Sequence, residues 1–265
     1  MPKIRINDIN FYYESCGQGA PIICISGFTG DHGGWQEVLA GLSQRHQVIT
    51  FDNRGIGQSD CPDYPYTIAM MANDVLGLMQ ALEIESAHLV GNSMGGNIAQ
   101  VIAHQYPQKV KSMVLSNSFM KAHGRLVAHA ANRLELMKLG IPAEVMIHYL
   151  LLWVFSGDYL GQSGMVERLT KAALEYPIAL SQQGYEHQLN ALLTFDSRSW
   201  IHEIKVPCLV ISSDEDLLAY AEESREMTQK ITNARYFCFK NTGHLPQLEH
   251  PHEFNRVVLD FIDSL

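Results

Sequence analysis

The feature that most constrains the fold is a serine set between two glycines, where a short apolar segment meets a helix-like one. Residues 88–96 have the sequence HLVGNSMGG, with Ser93 at the centre of Gly-x-Ser-x-Gly. A strand, a tight turn and a helix in this order form a nucleophile elbow, whose strained turn lifts the serine hydroxyl clear of the sheet. Glycines two residues before and after Ser93 avoid collisions that larger residues would cause. The hydroxyl would lie at the positive end of the next helix, where negative charge is stabilised.

Strand-like and helix-like patterns alternate along most of the chain. This alternation predicts an α/β fold, with a mostly parallel sheet and helices on both faces. Between about residues 117 and 195 the sequence is rich in Leu, Met and Ala and has no convincing strand. We therefore predict a core domain at residues 1–117 and 196–265, and an inserted helical lid at residues 118–195. Eight segments are predicted strands, the first two antiparallel: residues 3–7, 11–15, 21–26, 47–51, 87–90, 110–115, 206–212 and 235–239.

A nucleophilic serine requires a general base, and the base requires an acid that orients it. On this kind of scaffold the chain order is serine, then Asp or Glu, then histidine. His244 follows the last predicted strand, and Gly243 gives its loop the freedom to aim the imidazole. Asp214 and Asp216 both follow the strand at residues 206–212. Either could orient His244, but the position further beyond the strand end favours Asp216.

The negative charge that develops on a carbonyl oxygen needs two backbone N–H donors, which form an oxyanion hole. One predicted donor is the amide of Met94, directly after the nucleophile. The other is predicted in the Gly-rich loop that follows the strand at residues 21–26. Phe28 is the natural donor there, because Gly27 allows the backbone to approach Ser93 closely.

A second Gly-rich loop has the sequence DNRGIGQS at residues 52–59. It lacks the spacing of a phosphate-binding loop, and Ser59 has no elbow around it. We predict a structural role for this loop, in which Asp52 and Arg54 pair and brace the neighbouring oxyanion loop.

Composition excludes several classes of partner. The chain of 265 residues carries a net charge of −9 without a Lys/Arg cluster, which argues against nucleic acid or an anionic membrane. The five cysteines lack metal-ligand spacing, and no metal or other cofactor is predicted. The amino terminus has no apolar signal core, and the longest apolar run, residues 149–155, is too short to span a bilayer. A cytoplasmic protein is predicted, and its oligomeric state is left open.

Together these motifs resemble the α/β-hydrolase family over nearly the whole chain. The matching residues are DNRGIGQS at 52–59, GNSMGG at 91–96, Asp216, and GH at 243–244. The resemblance implies an α/β-hydrolase fold with an eight-stranded sheet. It also implies Ser93, Asp216 and His244 as a catalytic triad, with Phe28 and Met94 as oxyanion donors. Two positions depart from the family pattern: Ser213 stands where most members have glycine, and Ser26-Gly27 stands where most have His-Gly.

Within the family, the chain is most similar to 3-oxoadipate enol-lactonases and related carboxylesterases. This similarity implies a serine hydrolase without a cofactor, which cleaves a small carboxylic ester or lactone through an acyl-enzyme. Two alternatives remain: hydrolysis of a C–C bond by the same triad, as in meta-cleavage-product hydrolases, and a non-catalytic ligand receptor. The expected partner is a small carbonyl compound. Tyr149 and Trp153 of the lid are predicted to line its pocket.

Overall fold

The computed structural model describes residues 3–176 and 180–265. Its strands are β1 (Lys3–Ile6), β2 (Ile9–Cys16), β3 (Ala20–Ile25), β4 (His46–Phe51), β5 (Ala87–Asn92), β6 (Val110–Ser116), β7 (Cys208–Ser213) and β8 (Ala234–Phe239). They form one sheet in the order β1-β2-β4-β3-β5-β6-β7-β8. β2 pairs antiparallel with both β1 and β4, and every other neighbouring pair is parallel. The predicted fold class, an α/β-hydrolase fold with a mostly parallel eight-stranded sheet, is confirmed.

Helices cover both faces of this sheet. They are α1 (Gln36–Leu42), α2 (Ile68–Ala81), α3 (Met94–Gln105), α4 (Gly124–Lys138), α5 (Ala143–Val154), α6 (Gly157–Leu160), α7 (Met165–Glu175), α8 (Gln182–Thr194), α9 (Ala221–Lys230), α10 (Pro246–Glu249) and α11 (Pro251–Asp263). Helices α2, α3 and α9 contribute to the core on one face, and α1 and α11 contribute to the core on the other.

The side chains of β3 explain why this strand is apolar throughout. Ile22 and Cys24 lie in the core beneath α1 and α11, whereas Ile23 and Ile25 lie in the core beneath α2 and α3. Successive side chains of a strand point to opposite faces, so a strand covered on both sides has no solvent-facing position.

The structure corrects the sequence-based bounds at one helix. Residues 33–44 have a helical pattern, but a short 3₁₀ turn at His32–Trp35 precedes α1 there. The Asp31 carboxylate accepts a hydrogen bond from Gly33 N at 2.8 Å, and this cap starts the turn. The hydrophobic spacing predicts one helix here, but the cap at Asp31 starts a separate 3₁₀ turn before α1.

Helices α4 to α8 lie between β6 and β7 in sequence. A backbone bridge joins Lys121 to Asp196, and Ser197 N donates to Met120 O at 2.9 Å, so the two ends of this helical segment meet. The assignment of residues 118–195 as a separate lid stays a prediction, and residues 177–179 of that range lie outside the described residues. Within residues 3–176 and 180–265, no helix has the length and apolar character that crossing a membrane requires.

Candidate active site

Ser93 occupies the turn between β5 and α3 with φ 54° and ψ −121°. A positive φ is strained for a residue with a side chain, and such strain persists only where the surroundings impose it. Here Ser93 N donates to Ser116 O at 2.9 Å, while Ser93 O accepts hydrogen bonds from Gly96 N and Ser118 Oγ. The end of β6 and the first turn of α3 therefore hold Ser93 in the elbow conformation.

The glycines around Ser93 are required by neighbouring backbone rather than by the serine side chain. A Cβ on Gly95 would lie 2.0 Å from Ile25 O, and one on Gly91 would lie 2.4 Å from Gly95 O. The clash that these glycines avoid is thus between the elbow and β3, and within the elbow itself. A Cβ on Gly27 would come within 2.9 Å of Ser93 Cβ, so this glycine permits the oxyanion loop to approach the serine.

Asp216 and His244 are in direct contact. His244 Nδ1 lies 2.8 Å from Asp216 Oδ2, and both side chains are buried. Asp216 Oδ1 accepts from the amides of Leu218 and Ala219 at 2.7 and 3.0 Å. These bonds fix the carboxylate and leave one oxygen directed at the imidazole. Among the described residues, no hydrogen bond joins the Ser93 hydroxyl to His244, and such bonds are often long before substrate binds.

Asp214 lies apart from His244. Its carboxylate is about one third exposed and is 3.5 Å from Lys240 Nζ at the surface. Of the two acids that the sequence left open, only Asp216 reaches the histidine.

Asn117 is a site residue that sequence reasoning missed. It directly follows β6, has φ 48°, and is fully buried. Its Nδ2 donates to Asp216 Oδ2 at 2.8 Å and to Ser213 Oγ at 3.0 Å. The same carboxylate oxygen therefore accepts from Asn117 and faces His244. Its place directly after a strand was the one sequence signal that could have identified Asn117. That place indicated only where the alternation of strands and helices stops.

The loop that carries His244 is held from two sides. His244 N donates to Val154 O at 2.9 Å at the end of α5, and Asn92 Nδ2 donates to His244 O at 3.3 Å. The adjacent carboxylate of Glu249 accepts from Gly243 N at 2.8 Å and from Ser156 Oγ at 2.5 Å. Burial raises the pKa of Glu249, although these donors partly oppose the shift. Sequence reasoning also missed Glu249.

The two predicted oxyanion donors flank Ser93 in the structure. Met94 begins α3, and Phe28 follows Gly27, the residue in near contact with Ser93. Within the described part of the chain, neither amide donates a hydrogen bond to another protein group. Asn53 braces this loop, since its Nδ2 donates to Ser26 O at 3.1 Å.

The predicted pairing of Asp52 with Arg54 is wrong. Asp52 instead contacts His32 Nδ1 at 2.7 Å, whereas Arg54 forms a buried ion pair with Asp74 of α2 at 2.6 Å. Residues two apart on a loop present their side chains in different directions. The partners are therefore set by which elements pack nearby, and spacing did not reveal them.

One cluster in the described part of the chain has the residue types of a metal site. Ligand atoms of Asp31, His32 and Asp52 lie within 4.8 Å of one another. These groups already serve the fold, because Asp31 caps the 3₁₀ turn and Asp52 Oδ1 accepts from the His32 amide at 2.9 Å and contacts its ring. We assign no metal to them.

Side chains of α4 and α5 pack together next to the loop that carries His244. His129 and Arg133 lie one turn apart on α4, and the His129 ring packs on Tyr149 and Trp153 of α5, at centroid distances of 5.4 and 4.6 Å. Tyr149 and Trp153, the predicted pocket walls, are thus partly buried against a polar lid residue. Ser93, the nucleophile candidate, is only 6% exposed. Two open grooves of the described surface lie elsewhere, one beside α2 and the other between α5 and α7.

Comparisons with known proteins agree with this arrangement. The family model described as alpha/beta hydrolase fold matches residues 20–251. The proposed carbamate hydrolase RutD of Azorhizobium caulinodans is 28% identical over 267 residues, which cover 100% of this chain and 99% of the relative. The 3-oxoadipate enol-lactonase 1 of Acinetobacter baylyi is 28% identical, over 94% of this chain and 91% of the relative. The crystal structure of the enol-lactonase from Burkholderia xenovorans LB400 has a TM-score of 0.88 and 27% identity, covering 99% of this chain and 100% of that one.

Proposed function

Because this chain belongs to the α/β-hydrolase family, we propose that it is a serine hydrolase in which Ser93, His244 and Asp216 form a catalytic triad. The proposed substrate is a small carboxylic ester or lactone, and no cofactor is required. The observation that carries the proposal is the buried contact of 2.8 Å between His244 Nδ1 and Asp216. This pair is tied to the elbow through Asn92, the residue that precedes Ser93.

The mechanism starts from the tautomer of His244. A hydrogen bond from Nδ1–H to Asp216 leaves Nε2 free to accept the proton of Ser93 as Oγ attacks the carbonyl carbon. The amides of Phe28 and Met94 stabilise the oxyanion of the tetrahedral intermediate. Its collapse forms the acyl-enzyme and releases an alcohol, or opens a lactone ring, with a proton from His244. A water molecule activated by His244 then hydrolyses the acyl-enzyme and restores the Ser93 hydroxyl.

The names of the relatives support this substrate class at a coarse level. Of the three reported above, two are named enol-lactonases and one a proposed carbamate hydrolase. A lactone, an ester and a carbamate all present an acyl carbon bonded to a heteroatom leaving group, which the proposed chemistry requires. We place esters and lactones first, and carbamates belong in the same substrate panel.

Two alternatives use the same fold. Hydrolysis of a C–C bond would need the triad together with a group that binds a second carboxylate, and the buried guanidinium of Arg133 is available on α4. A receptor without catalysis would bind a small molecule but would not react with it. The buried His244–Asp216 pair beside Ser93 favours the catalytic function, because a receptor needs no charge-stabilised base at that position.

The test is turnover of a panel of p-nitrophenyl esters, enol-lactones, carbamates and vinylogous diketones by wild-type protein, Ser93→Ala and His244→Gln. Each variant should lose turnover at least about a thousandfold, the scale of losing a triad member. His252→Gln, an exposed histidine of α11, is the matched control and should keep full activity. A fluorophosphonate adduct should map to Ser93. Labelling at another residue, or full activity in Ser93→Ala, would defeat the proposal.

A further inference from the structure

Arg133 is a largely buried cation without an acidic partner. Its Nη1 donates to Thr29 Oγ1 at 3.2 Å, and its guanidinium lies 5.5 Å from the centre of the Tyr185 ring. Its Nε is buried and unpartnered, and among residues 3–176 and 180–265 no carboxylate forms an ion pair with it. Burial lowers the pKa of Arg133. A protein rarely maintains a desolvated, unpaired cation without function, because its burial is costly unless an anion compensates it.

His129, one turn before Arg133 on the same face of α4, is a second buried polar group with an open position. The residue is 5% exposed, and its Nδ1 has no hydrogen-bond partner. Burial, with lesser contributions from Arg133 and His244, lowers the pKa of His129 to about 4. The imidazole is therefore neutral near pH 7 and can donate or accept a hydrogen bond without adding charge. The His129 ring packs on Trp153, and the next residue, Val154, accepts the hydrogen bond from His244 N, so His129 lies near the loop of the candidate base.

The oxyanion loop links this pair to the reaction centre. Thr29, which contacts Arg133, directly follows the proposed oxyanion donor Phe28. Thr29 has φ 62°, and its amide donates to Gln188 Oε1 at 3.0 Å, so the backbone here is held on both sides. The Phe28 ring packs on Tyr185 at 4.7 Å, and Arg133 lies over the same ring. A group bound by Arg133 would thus belong to the molecule whose carbonyl sits in the oxyanion hole.

We propose that Arg133 and His129 form a carboxylate-binding subsite in the lid, which selects substrates that carry an acidic group besides the scissile carbonyl. The proposal rests on the serine hydrolase function and specifies its substrate class: an ester or lactone with a free carboxylate. The planar guanidinium binds one carboxylate oxygen or both, since it presents donors in a fixed fork. His129 donates a further hydrogen bond, and its ring is held by stacking on Tyr149 and by a tilted contact with Trp153.

The competing explanation is that Arg133 only fastens the lid to the oxyanion loop through Thr29. Loss of a purely structural contact with Thr29 would lower activity on every substrate by the same factor. Loss of a carboxylate ligand would lower activity on acidic substrates alone. The ratio between matched acidic and neutral substrates therefore separates the two roles.

The kinetic test compares p-nitrophenyl half-esters of linear dicarboxylic acids with neutral p-nitrophenyl esters of the same chain length. Wild-type protein should favour the best half-ester in kcat/KM by roughly tenfold or more, the scale of a charge-assisted hydrogen bond. Arg133→Met should abolish that preference, mainly through KM, so that kcat/KM falls by roughly tenfold more for the half-esters than for the neutral esters of the same length. Arg133→Lys should restore part of it, because the charge remains while the fork is lost. The matched control is Arg125→Met, which removes an exposed arginine from the first turn of the same helix and should keep the preference.

A binding measurement tests the subsite without turnover. Linear dicarboxylates and their half-amides are titrated into wild-type protein, Arg133→Met, His129→Phe and Arg125→Met, with calorimetry and intrinsic tryptophan fluorescence as readouts. Dicarboxylates should bind more tightly than half-amides to wild type and Arg125→Met. The difference should vanish in Arg133→Met and shrink several-fold in His129→Phe, which keeps the ring stacking. Thermal unfolding of each variant identifies any loss of affinity that comes from misfolding. If Arg133→Met does not fold, Arg133→Lys replaces it, and the difference in affinity between dicarboxylates and half-amides should then be smaller than in wild type.

The kinetic and binding measurements together distinguish failure of the carboxylate subsite from failure of the hydrolase function. Ser93-dependent hydrolysis with equal losses on acidic and neutral esters in Arg133→Met would overturn the subsite and leave the hydrolase function in place. Absence of Ser93-dependent hydrolysis on every substrate would overturn the function, and the binding measurement alone would then decide the subsite. Equal affinity of wild type for dicarboxylates and half-amides would reject the subsite in either case.

Discussion

At the scale of residues, Asp214 and Asp216 show how two similar side chains acquire different environments. Asp216 accepts four hydrogen bonds from Leu218, Ala219, Asn117 and His244, and it is buried. Asp214 faces solvent near Lys240. A buried carboxylate needs such a set of donors to remain charged. An ionised Asp216 can in turn stabilise the imidazolium that the proposed mechanism forms on His244.

The first prediction follows from that difference. Asp216→Asn should lower kcat on a p-nitrophenyl ester by about ten thousandfold, because an amide favours the wrong tautomer of His244 and removes the countercharge. Asp214→Asn is the matched control and should stay within about twofold of wild type, as surface substitutions usually do. Steady-state kinetics with both variants, together with their thermal unfolding midpoints, provides the check. A larger loss in Asp214→Asn at unchanged stability would reject Asp216 as the orienting acid.

At the scale of elements, the ion pair of Arg54 with Asp74 joins the loop after β4 to helix α2. Arg54 Nε and Nη2 donate to the two carboxylate oxygens at 2.6 and 2.8 Å, and both side chains are almost fully buried. Burial raises the pKa of Asp74, although Arg54 opposes the shift. A buried pair of this kind specifies where two elements meet more than it adds to net stability.

The second prediction concerns this pair. Arg54→Met should lower the free energy of unfolding by about 3 to 5 kcal/mol, because Asp74 would be left buried without its partner. The double variant Arg54→Met/Asp74→Leu should recover most of that loss, since no uncompensated charge remains. Urea unfolding of both variants and of Asp74→Leu completes the double-mutant cycle. Additive losses in the double variant would show that the two residues stabilise the protein independently.

Helices α4 and α5 are a second case at this scale. Tyr149 and Trp153 lie one turn apart on α5 and contact His129 of α4, so their rings join two lid helices next to His244. Val154, the residue after Trp153, accepts the hydrogen bond from His244 N. The aromatic cluster therefore borders the proposed acyl pocket while it also packs α4 against α5.

The third prediction is that Tyr149→Ala and Trp153→Ala change the chain-length profile on p-nitrophenyl esters. Wild type should act best on short or medium acyl chains, and each truncation should shift the optimum to longer chains because it enlarges the pocket. Leu152→Ala is the control, since this neighbouring side chain is exposed. The measurement is kcat/KM across acyl lengths. An unchanged profile in both aromatic variants would reject them as pocket walls without affecting the triad.

At the scale of the whole molecule, two buried histidines make stability depend on pH. Burial lowers the pKa of both His88, on strand β5, and His129, on helix α4, from the usual value of 6.5 to about 4. Between pH 4 and 6.5 the unfolded chain thus binds more protons at these sites than the folded chain. The free energy of unfolding therefore rises with pH across this window and falls as the solution is acidified.

The fourth prediction isolates the contribution of His129. His129→Phe keeps the ring stacking and removes the group that resists protonation, so it should flatten the loss of stability between about pH 6.5 and pH 4 by up to roughly 3 kcal/mol. His148→Gln, at an exposed position on α5, should leave the pH profile of wild type unchanged. Urea unfolding at several pH values in this window gives the difference between variant and wild type, in which the carboxylates common to both cancel. An identical pH slope in His129→Phe would contradict the prediction.

The sequence alone was sufficient to predict the strands and the elbow turn, which depend on residues close together in the chain. Period-two and continuous apolar runs predicted all eight strands to within a few residues, because burial on one or both faces selects those side chains. The Gly-x-Ser-x-Gly turn predicted the elbow, since only a short list of residues tolerates its backbone. The chain order of Ser93, Asp216 and His244 followed from the family pattern.

Only the tertiary structure decided which side chains meet across elements. In the folded protein Asp216, and not Asp214, contacts His244, and Asn117 donates to the same carboxylate. The Glu249 carboxylate accepts from Gly243 N. Arg54 pairs with Asp74 and not with Asp52. The partners within each of these contacts come from separate strands, helices and loops, and their distances depend on how the helices pack on the sheet. No periodicity along the chain encodes such distances. The unpaired guanidinium of Arg133 is likewise a property of the tertiary structure. Whether a cation has an acidic partner depends on every element that packs around it.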